Sequence, residues 1–216
     1  MPSPPVDLDL TPVKGEPSAY ALHMSSTRER ILERARELVQ TSEGEPLNMS
    51  ATAAAAGISR QALYLHFPDR ASVLLALVEH TDEREDLAAG LAKVQAAPTG
   101  TAKLRTYLEM QAWRNPRIAP LARALDAARR ADPASEEAWR NRNQGRMIGA
   151  TMLAQALQAD GLIHDSWQLE EAALLLWQLT SFHAWDDLVN DAGLVPERYV
   201  TLMLTTALAT LAAART

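Results

Sequence analysis

The sequence contains no cysteine. Disulfides and thiolate metal or redox chemistry are therefore excluded, and the composition fits a reducing cytoplasm. Aromatics are scarce, with two Phe and four Tyr against many Ala and Leu, which favours helix over sheet. No uninterrupted apolar run approaches the 18 residues that a membrane helix needs. The opening MPSPPVDLDLTPVKGEP lacks the basic start and apolar stretch of a secretory signal, so the expected location is cytoplasmic. No surplus of positive charge announces a nucleic-acid partner, because the formal net charge is −6. There is no Gly-rich phosphate loop, no HExxH and no GxSxG, and the five His are scattered, so neither an enzyme nor a cofactor is expected.

The 216 residues, 47% of them hydrophobic, can bury a substantial core. Residues 1–24 hold Pro2, Pro4, Pro5, Pro12 and Pro17 with little periodicity and read as a flexible arm. From Ser26 the pattern is helical. Ile31, Leu32, Ala35, Leu38 and Val39 form one stripe, with Ser26 or Thr27 as its cap and Glu29 or Arg30 opening the exposed face. Short helices follow, from Asn48 or Ser50 to Gly57 and from Ser59 to His66. Asp69 caps the next, read as one helix over DRASVLLALVEHTDEREDLAAGLAKV. Beyond APTGT, helices are expected up to Asn115-Pro116, from there to Asp132-Pro133, and on to Gly161. Ser166 is read as the cap of a long helix, WQLEEAALLLWQLTSFHAWDDLVNDAG, and Pro196 opens the last one. The expectation is an all-α protein of about nine helices without strands or repeats.

The segment Ala53 to Phe67, AAAAGISRQALYLHF, carries the most specific signal. Two closely crossing helices need a small residue at the crossing, as at Ala53. The turn between them needs a residue that accepts positive φ, as at Gly57. Ile58 and Leu63 would plug the core, and the opposite face of the second helix would present Arg60, Gln61, Tyr64 and His66. In a major groove Arg reads guanine and Gln reads adenine, while Tyr and Ser donate to phosphates. The start of the helix after Asp69, with Arg70, would hold the same strand.

The segment ISRQALYLHFPDRASVLLAL resembles the N-terminal DNA-binding domain of the TetR family of transcriptional regulators. The resemblance runs from about Thr27 to His80. The family pattern of Tyr, His two residues later, Phe, a turn and a basic residue falls on Tyr64, His66, Phe67 and Arg70. It implies phosphate contacts by Tyr64 and Arg70 and base or backbone contacts from the helix bearing Ser59, Arg60, Gln61 and Ala62. Further contacts are implied at the start of the preceding helix, by Asn48, Met49 and Ser50. The sequence departs from the pattern at Thr52, where an aliphatic residue is usual, at Ser50, where a basic one is common, and at Arg70, which replaces Lys. Between Ser26 and His80, Arg28, Arg30, Arg34, Arg36, Arg60 and Arg70 face Glu29, Glu33, Glu37, Glu43, Glu45, Asp69 and Glu79. A DNA reader so balanced must gather its positive charge on one face.

The resemblance implies that the rest of the chain is a helical domain that dimerises and often holds a small effector. The division expected is an arm over 1–24, a helix-turn-helix domain over 25–70, and a ligand-binding and dimerisation domain over 71–216. The last two helices are broadly apolar, which suits a four-helix interface between two copies. Met110, Trp113, Trp139, Met147, Trp177, Gln178, Phe182 and His183 are the candidate lining of an effector pocket. His183, Asp186 and Asp187 have a metal-compatible spacing but too few ligands, and read as a solvated cluster. The function expected is a homodimeric DNA-binding regulator, a repressor released by a small effector. The alternative is a helical protein-docking module indifferent to DNA.

Overall fold

The computed structural model describes residues 19–41 and 46–214. Most of the arm expected over 1–24, and Glu43 and Glu45 of the charge balance, lie outside the described residues. Among those described there are ten α-helices, one π-helical turn and no strand. Helix α1 spans Ala19–Thr41, α2 Met49–Ala55, α3 Arg60–His66, α4 Arg70–Arg84 and α5 Leu87–Ala96. Then come α6 (Gly100–Arg129), α7 (Pro133–Ala159), α8 (Leu169–Leu179) and α9 (Phe182–Trp185). The π turn covers Asp186–Asp191 and α10 covers Pro196–Ala212.

Several boundaries differ from those read in the sequence. Helix α1 begins at Ala19, inside the segment read as an arm and ahead of the caps assigned to Ser26 or Thr27. The run AYALHM after Pro17 consists mostly of good helix formers. The helix expected to start at Asp69 breaks at Asp86, which adopts a left-handed φ of 46° and accepts a hydrogen bond from the Ala89 amide to start α5. The break expected at Pro116 does not occur: α6 runs through Pro116 and Pro120. An interior proline costs about 3 kcal/mol. Here it is offset by packing at both ends of the helix, since Leu104, Leu108 and Ala112 sit in one core and Leu121, Leu125 and Ala128 in another. On the outer face Arg117 lies 4.1 Å from the Trp113 ring and donates to the Trp113 carbonyl.

The long helix read from Trp167 to Gly193 is divided. Its cap is Gln168 rather than Ser166, and the Glu171 carboxylate accepts from the Gln168 amide at 3.2 Å. Thr180 donates its hydroxyl back to the Leu176 carbonyl at 2.7 Å. Ser181 then accepts from the Ala184 amide and restarts the chain as α9. These hydroxyls offer the backbone an alternative to continuing the helix.

Two cores share α6. The first packs Ile31, Leu32 and Ala35 of α1 against Ala53, Leu63, Phe67, Leu74 and Leu77, closed by Leu121, Leu125 and Ala128 of α6. The second joins Leu104 and Leu108 of α6 to Leu153 and Leu157 of α7, Ala172 and Leu176 of α8, and Tyr199, Met203 and Leu211 of α10. The start of α6 touches the end of α7 closely. A Cβ on Gly100 would stand 2.6 Å from the Leu157 nitrogen and 2.7 Å from the Ala156 carbonyl carbon, and the Gly100 amide donates to Asp160 at 2.6 Å.

Candidate nucleic-acid interface and effector cleft

Helix α2 ends in a turn centred on Gly57 at φ 66°. The Gly57 amide bonds the Ala54 carbonyl at 3.1 Å and the Ile58 amide bonds the Ala53 carbonyl at 3.0 Å, the two closures of a Schellman turn. Nothing lies within 4 Å of a Cβ placed on Gly57, so backbone conformation rather than space calls for glycine. From α1, Arg30 donates its Nε to the Ala56 carbonyl at 3.1 Å and ties the turn to the first helix. Sequence reading assigned Arg30 only to the exposed face; a cross-helix bond to a backbone carbonyl leaves no sequence signal.

Leu63 is the buried residue of α3 and anchors it. The opposite face is open. Arg60 and Gln61 are exposed, Tyr64 is 43% exposed and Leu65 79%. Among the described residues no hydrogen bond or ion pair engages the side chains of Arg60 or Gln61. Leu65 was not singled out in the sequence, where an apolar residue at this spacing reads as core. Ala62 and His66 are half-buried.

The predicted contacts at the helix starts have structural duties first. Asn48 accepts from the Ser50 and Ala51 amides at 2.9 and 3.2 Å and caps α2. Ser59 accepts from the Ala62 amide at 3.1 Å and caps α3. Each keeps donor hydrogens for another partner, and Ser50 is exposed. Thr52, the departure from the family pattern, is buried and donates to the Asn48 carbonyl at 2.9 Å, so its hydroxyl is satisfied. Asp69 caps α4 through the Ser72 amide and hydroxyl, both at 2.7 Å, and these bonds hold its carboxyl below the ordinary value.

The arginines divide by role. Arg34 pairs with Glu37, and Arg36 and Arg84 both pair with Glu33. Arg28, Arg60 and Arg70 have no carboxylate partner among the described residues. Arg28 sits 5.2 Å from the ring of Phe67, the residue that ends α3. Positive charge without a local counter-ion is thus found on α3 and on residues next to its end, although the segment as a whole is not basic.

A cleft of about 440 Å³ opens among α4, α5, α6, α7 and α9. Val78, Leu87, Leu91, Met110, Ile118 and Phe182 are among its apolar residues, and Gln111, Arg114, Asn115, Arg142 and Arg146 bring polar groups to it. Asp82 of α4 joins Arg114, and its carboxylate also accepts from Arg142 at 3.0 and 3.2 Å. Burial, and next the charge of Arg142, push the Arg114 guanidinium below its ordinary pKa. Arg146 donates to the Trp177 carbonyl at 2.6 Å and lies 4.9 Å from that ring.

Of the pocket residues read from the sequence, the structure brings Met110 and Phe182 to this cleft and Trp139 to a narrow adjoining space that shares Phe182. Trp113 is half exposed and lines a separate hollow with Glu109 and Lys93. Gln178 is exposed, Met147 and Trp177 are half-buried, and none of the three borders the cleft. His183 is half exposed and lies 3.3 Å from Asp126, while Asp186 binds Arg123 at 2.6 and 2.9 Å, so these side chains point to separate partners. The arginines of the cleft went unnoticed because basic residues on an amphipathic helix ordinarily read as its solvated face.

The exposed face of α3, opposite a buried anchor and behind a Schellman turn, defines a helix-turn-helix domain joined to a larger helical domain. Residues 31–77 match the family described as bacterial regulatory proteins, tetR family. Solved structures show the same fold along most of the chain. A transcriptional regulator from Saccharomonospora viridis in complex with choline is 17% identical, with 83% of this chain and 94% of that chain covered at a TM-score of 0.68. A regulator from Pseudomonas aeruginosa PAO1 is 16% identical, covering 87% and 91%, at 0.70. Salmonella enterica GusR is 22% identical, covering 87% and 96%, at 0.64. No curated protein matches the chain. No helix among the described residues is long and apolar enough to cross a membrane.

Proposed function

We propose that this protein is a homodimeric, sequence-specific DNA-binding repressor, released by a small effector and acting in the cytoplasm. The observation that carries the reading is the open face of α3, where Arg60, Gln61 and Tyr64 stand exposed on a helix held rigidly from behind. Placed in a major groove, Arg60 can donate twice to a guanine edge, and Gln61 can donate to N7 of adenine while accepting from its N6 amino group. Tyr64, Arg70, Ser59 and the amide of Asn48 position the backbone, with Ser50, Ala62 and His66 at the margins of the contact. Two copies reading grooves one turn apart, roughly 34–36 Å, require a near-palindromic operator. Helices α8 and α10 are the proposed interface, and each leaves a large apolar side chain exposed, Leu174 and Leu202.

The cleft supports the effector reading, because Val78 and Asp82 of its wall lie on α4, whose first residue follows the turn after α3. The choline in the Saccharomonospora viridis regulator supports ligand binding by this fold. An effector acts only through its difference in affinity for the two arrangements of α4.

Footprinting on the DNA upstream of the protein's own gene, at two salt concentrations, tests the reading. A protected near-palindrome of about two helical turns is expected, lost with the double substitution Arg60→Ala, Gln61→Ala in a protein that stays folded. No protection at low salt by a folded dimer would refute it and favour a protein-docking role.

A further inference from the structure

We propose that the cleft among α4, α6 and α7 binds a singly charged organic anion, a carboxylate on an apolar body, with its head held by Arg114, Asn115 and Arg142. The inference rests on the effector reading above and names the chemistry of the ligand.

The first observation is a set of buried donors with nothing to bond. Arg114 is 5% exposed and Asn115 2%, and both line the cleft. The Arg114 Nε and the Asn115 Nδ2 have no hydrogen-bond partner, and neither has the Nε of Arg146. Buried polar atoms are almost always paired, so three orphans on residues that line one cleft are exceptional. All three are donors, and what they lack is an acceptor.

The second observation is charge. The cleft is lined by Arg114, Arg142 and Arg146 against Glu79 and Asp82. Asp82 alone serves both Arg114 and Arg142. Glu79 is exposed and pairs with none of the three among the described residues. Counting Glu79 with Asp82, three guanidinium charges face two carboxylates, and the surplus of one positive charge suits a monoanion. A phosphate dianion would overshoot the balance. Guanidinium and amide donors brought to one cleft by α6 and α7 match the paired oxygens of a carboxylate.

The third observation is the remainder of the wall. Val78, Leu91, Met110 and Phe182 are apolar, and about 440 Å³ falls within the range of small-molecule sites. An inorganic anion would leave this surface uncovered. A ligand carboxylate would also compete with Asp82 for its two arginines. Asp82 belongs to α4, so the competition loosens the tie between α4 and helices α6 and α7 and gives the ligand its differential affinity.

Calorimetry of the full-length protein with octanoate and phenylacetate, each beside its uncharged amide, tests the proposal. At least one acid is expected to bind at least about tenfold more tightly than its amide. In Arg142→Gln the preference should shrink towards equality. Asn115→Leu, which carries no charge change, should weaken acid binding independently and covers the case in which Arg142→Gln fails to fold. Equal affinity for acid and amide, no binding of either acid at millimolar concentration, or an unchanged preference in the folded variants would overturn it. Operator footprinting with the same ligands separates the two readings. Acid binding that depends on Arg142 in a protein without any operator leaves the site standing and removes the regulator. Operator binding with no acid preference removes the site and leaves the regulator.

Discussion

Replacing Asp82 by Asn keeps the shape of the side chain and removes its charge. In the native protein this carboxylate accepts from Arg142 at 3.0 and 3.2 Å and pairs with Arg114, which is 5% exposed. No other carboxylate of the described residues pairs with either arginine. Removing one partner of a buried ion pair costs about 3–5 kcal/mol, because the remaining charge is stranded. Asp82 is itself a quarter exposed, so water screens part of the loss and the lower end, about 3 kcal/mol, applies. For a chain of this length, each kcal/mol moves Tm by about 2–4 °C, so a fall of about 6–12 °C is expected. Thermal unfolding followed by circular dichroism reads it. Glu109→Gln serves as the control, since it removes the same charge from an exposed site and should change stability by less than about 0.5 kcal/mol. If Asp82→Asn unfolds within about 1 °C of the native protein and of the control, the carboxylate does not hold the arginines, and the account of α4 tied to α6 and α7 through it is wrong.

Gly100→Ala should destabilise by about 1–3 kcal/mol, since the added methyl meets the backbone of Ala156 and Leu157, which cannot rotate away; a chemical-denaturation midpoint equal to that of the native protein would refute the close approach. Arg70→Ala should weaken binding to all DNA sequences alike and reduce the slope of log affinity against log salt by about one, measured by fluorescence anisotropy on operator and random duplexes; an unchanged slope would remove Arg70 from the phosphate contacts. Leu202→Glu should turn the proposed dimer into a monomer in sedimentation equilibrium, and an intact dimer would move the interface away from the exposed side chain of α10. Stability should fall on acidification. The Arg36 guanidinium holds the Glu33 carboxyl below its ordinary value, and the Ser72 hydroxyl and amide do so for Asp69. A depressed folded-state pKa contributes stability above the ordinary carboxylate range that is lost as pH falls through the folded value. Tm should therefore hold near neutrality and drop below about pH 4.5, less steeply in Glu33→Gln; a parallel drop in both proteins would show that this carboxylate carries no part of it.

What could be read in the chain was local. The φ of Gly57, the cap at Asp69, the break at Asp132-Pro133 and the helix end at Gly161 are requirements of single residues on their own backbone, so composition and spacing disclosed them. The open face of α3 was legible for the same reason: at helical spacing an inward Leu63 puts Gln61 on the far side, with Arg60 and Tyr64 exposed at the flanks. The course of α6 was settled elsewhere. Two prolines argue locally for a break, and only the separate cores gripping each end outweigh them. The same holds for the cleft. Tryptophans and methionines drew attention in the sequence because they are large and apolar. Burial, however, depends on which helices meet, and it left Trp113 half exposed while enclosing Arg114 one position away. Whether an arginine faces water or the inside of a cavity is a property of the neighbours across the gap. Here those neighbours are Asp82, 32 residues before Arg114, and Arg142 on a third helix.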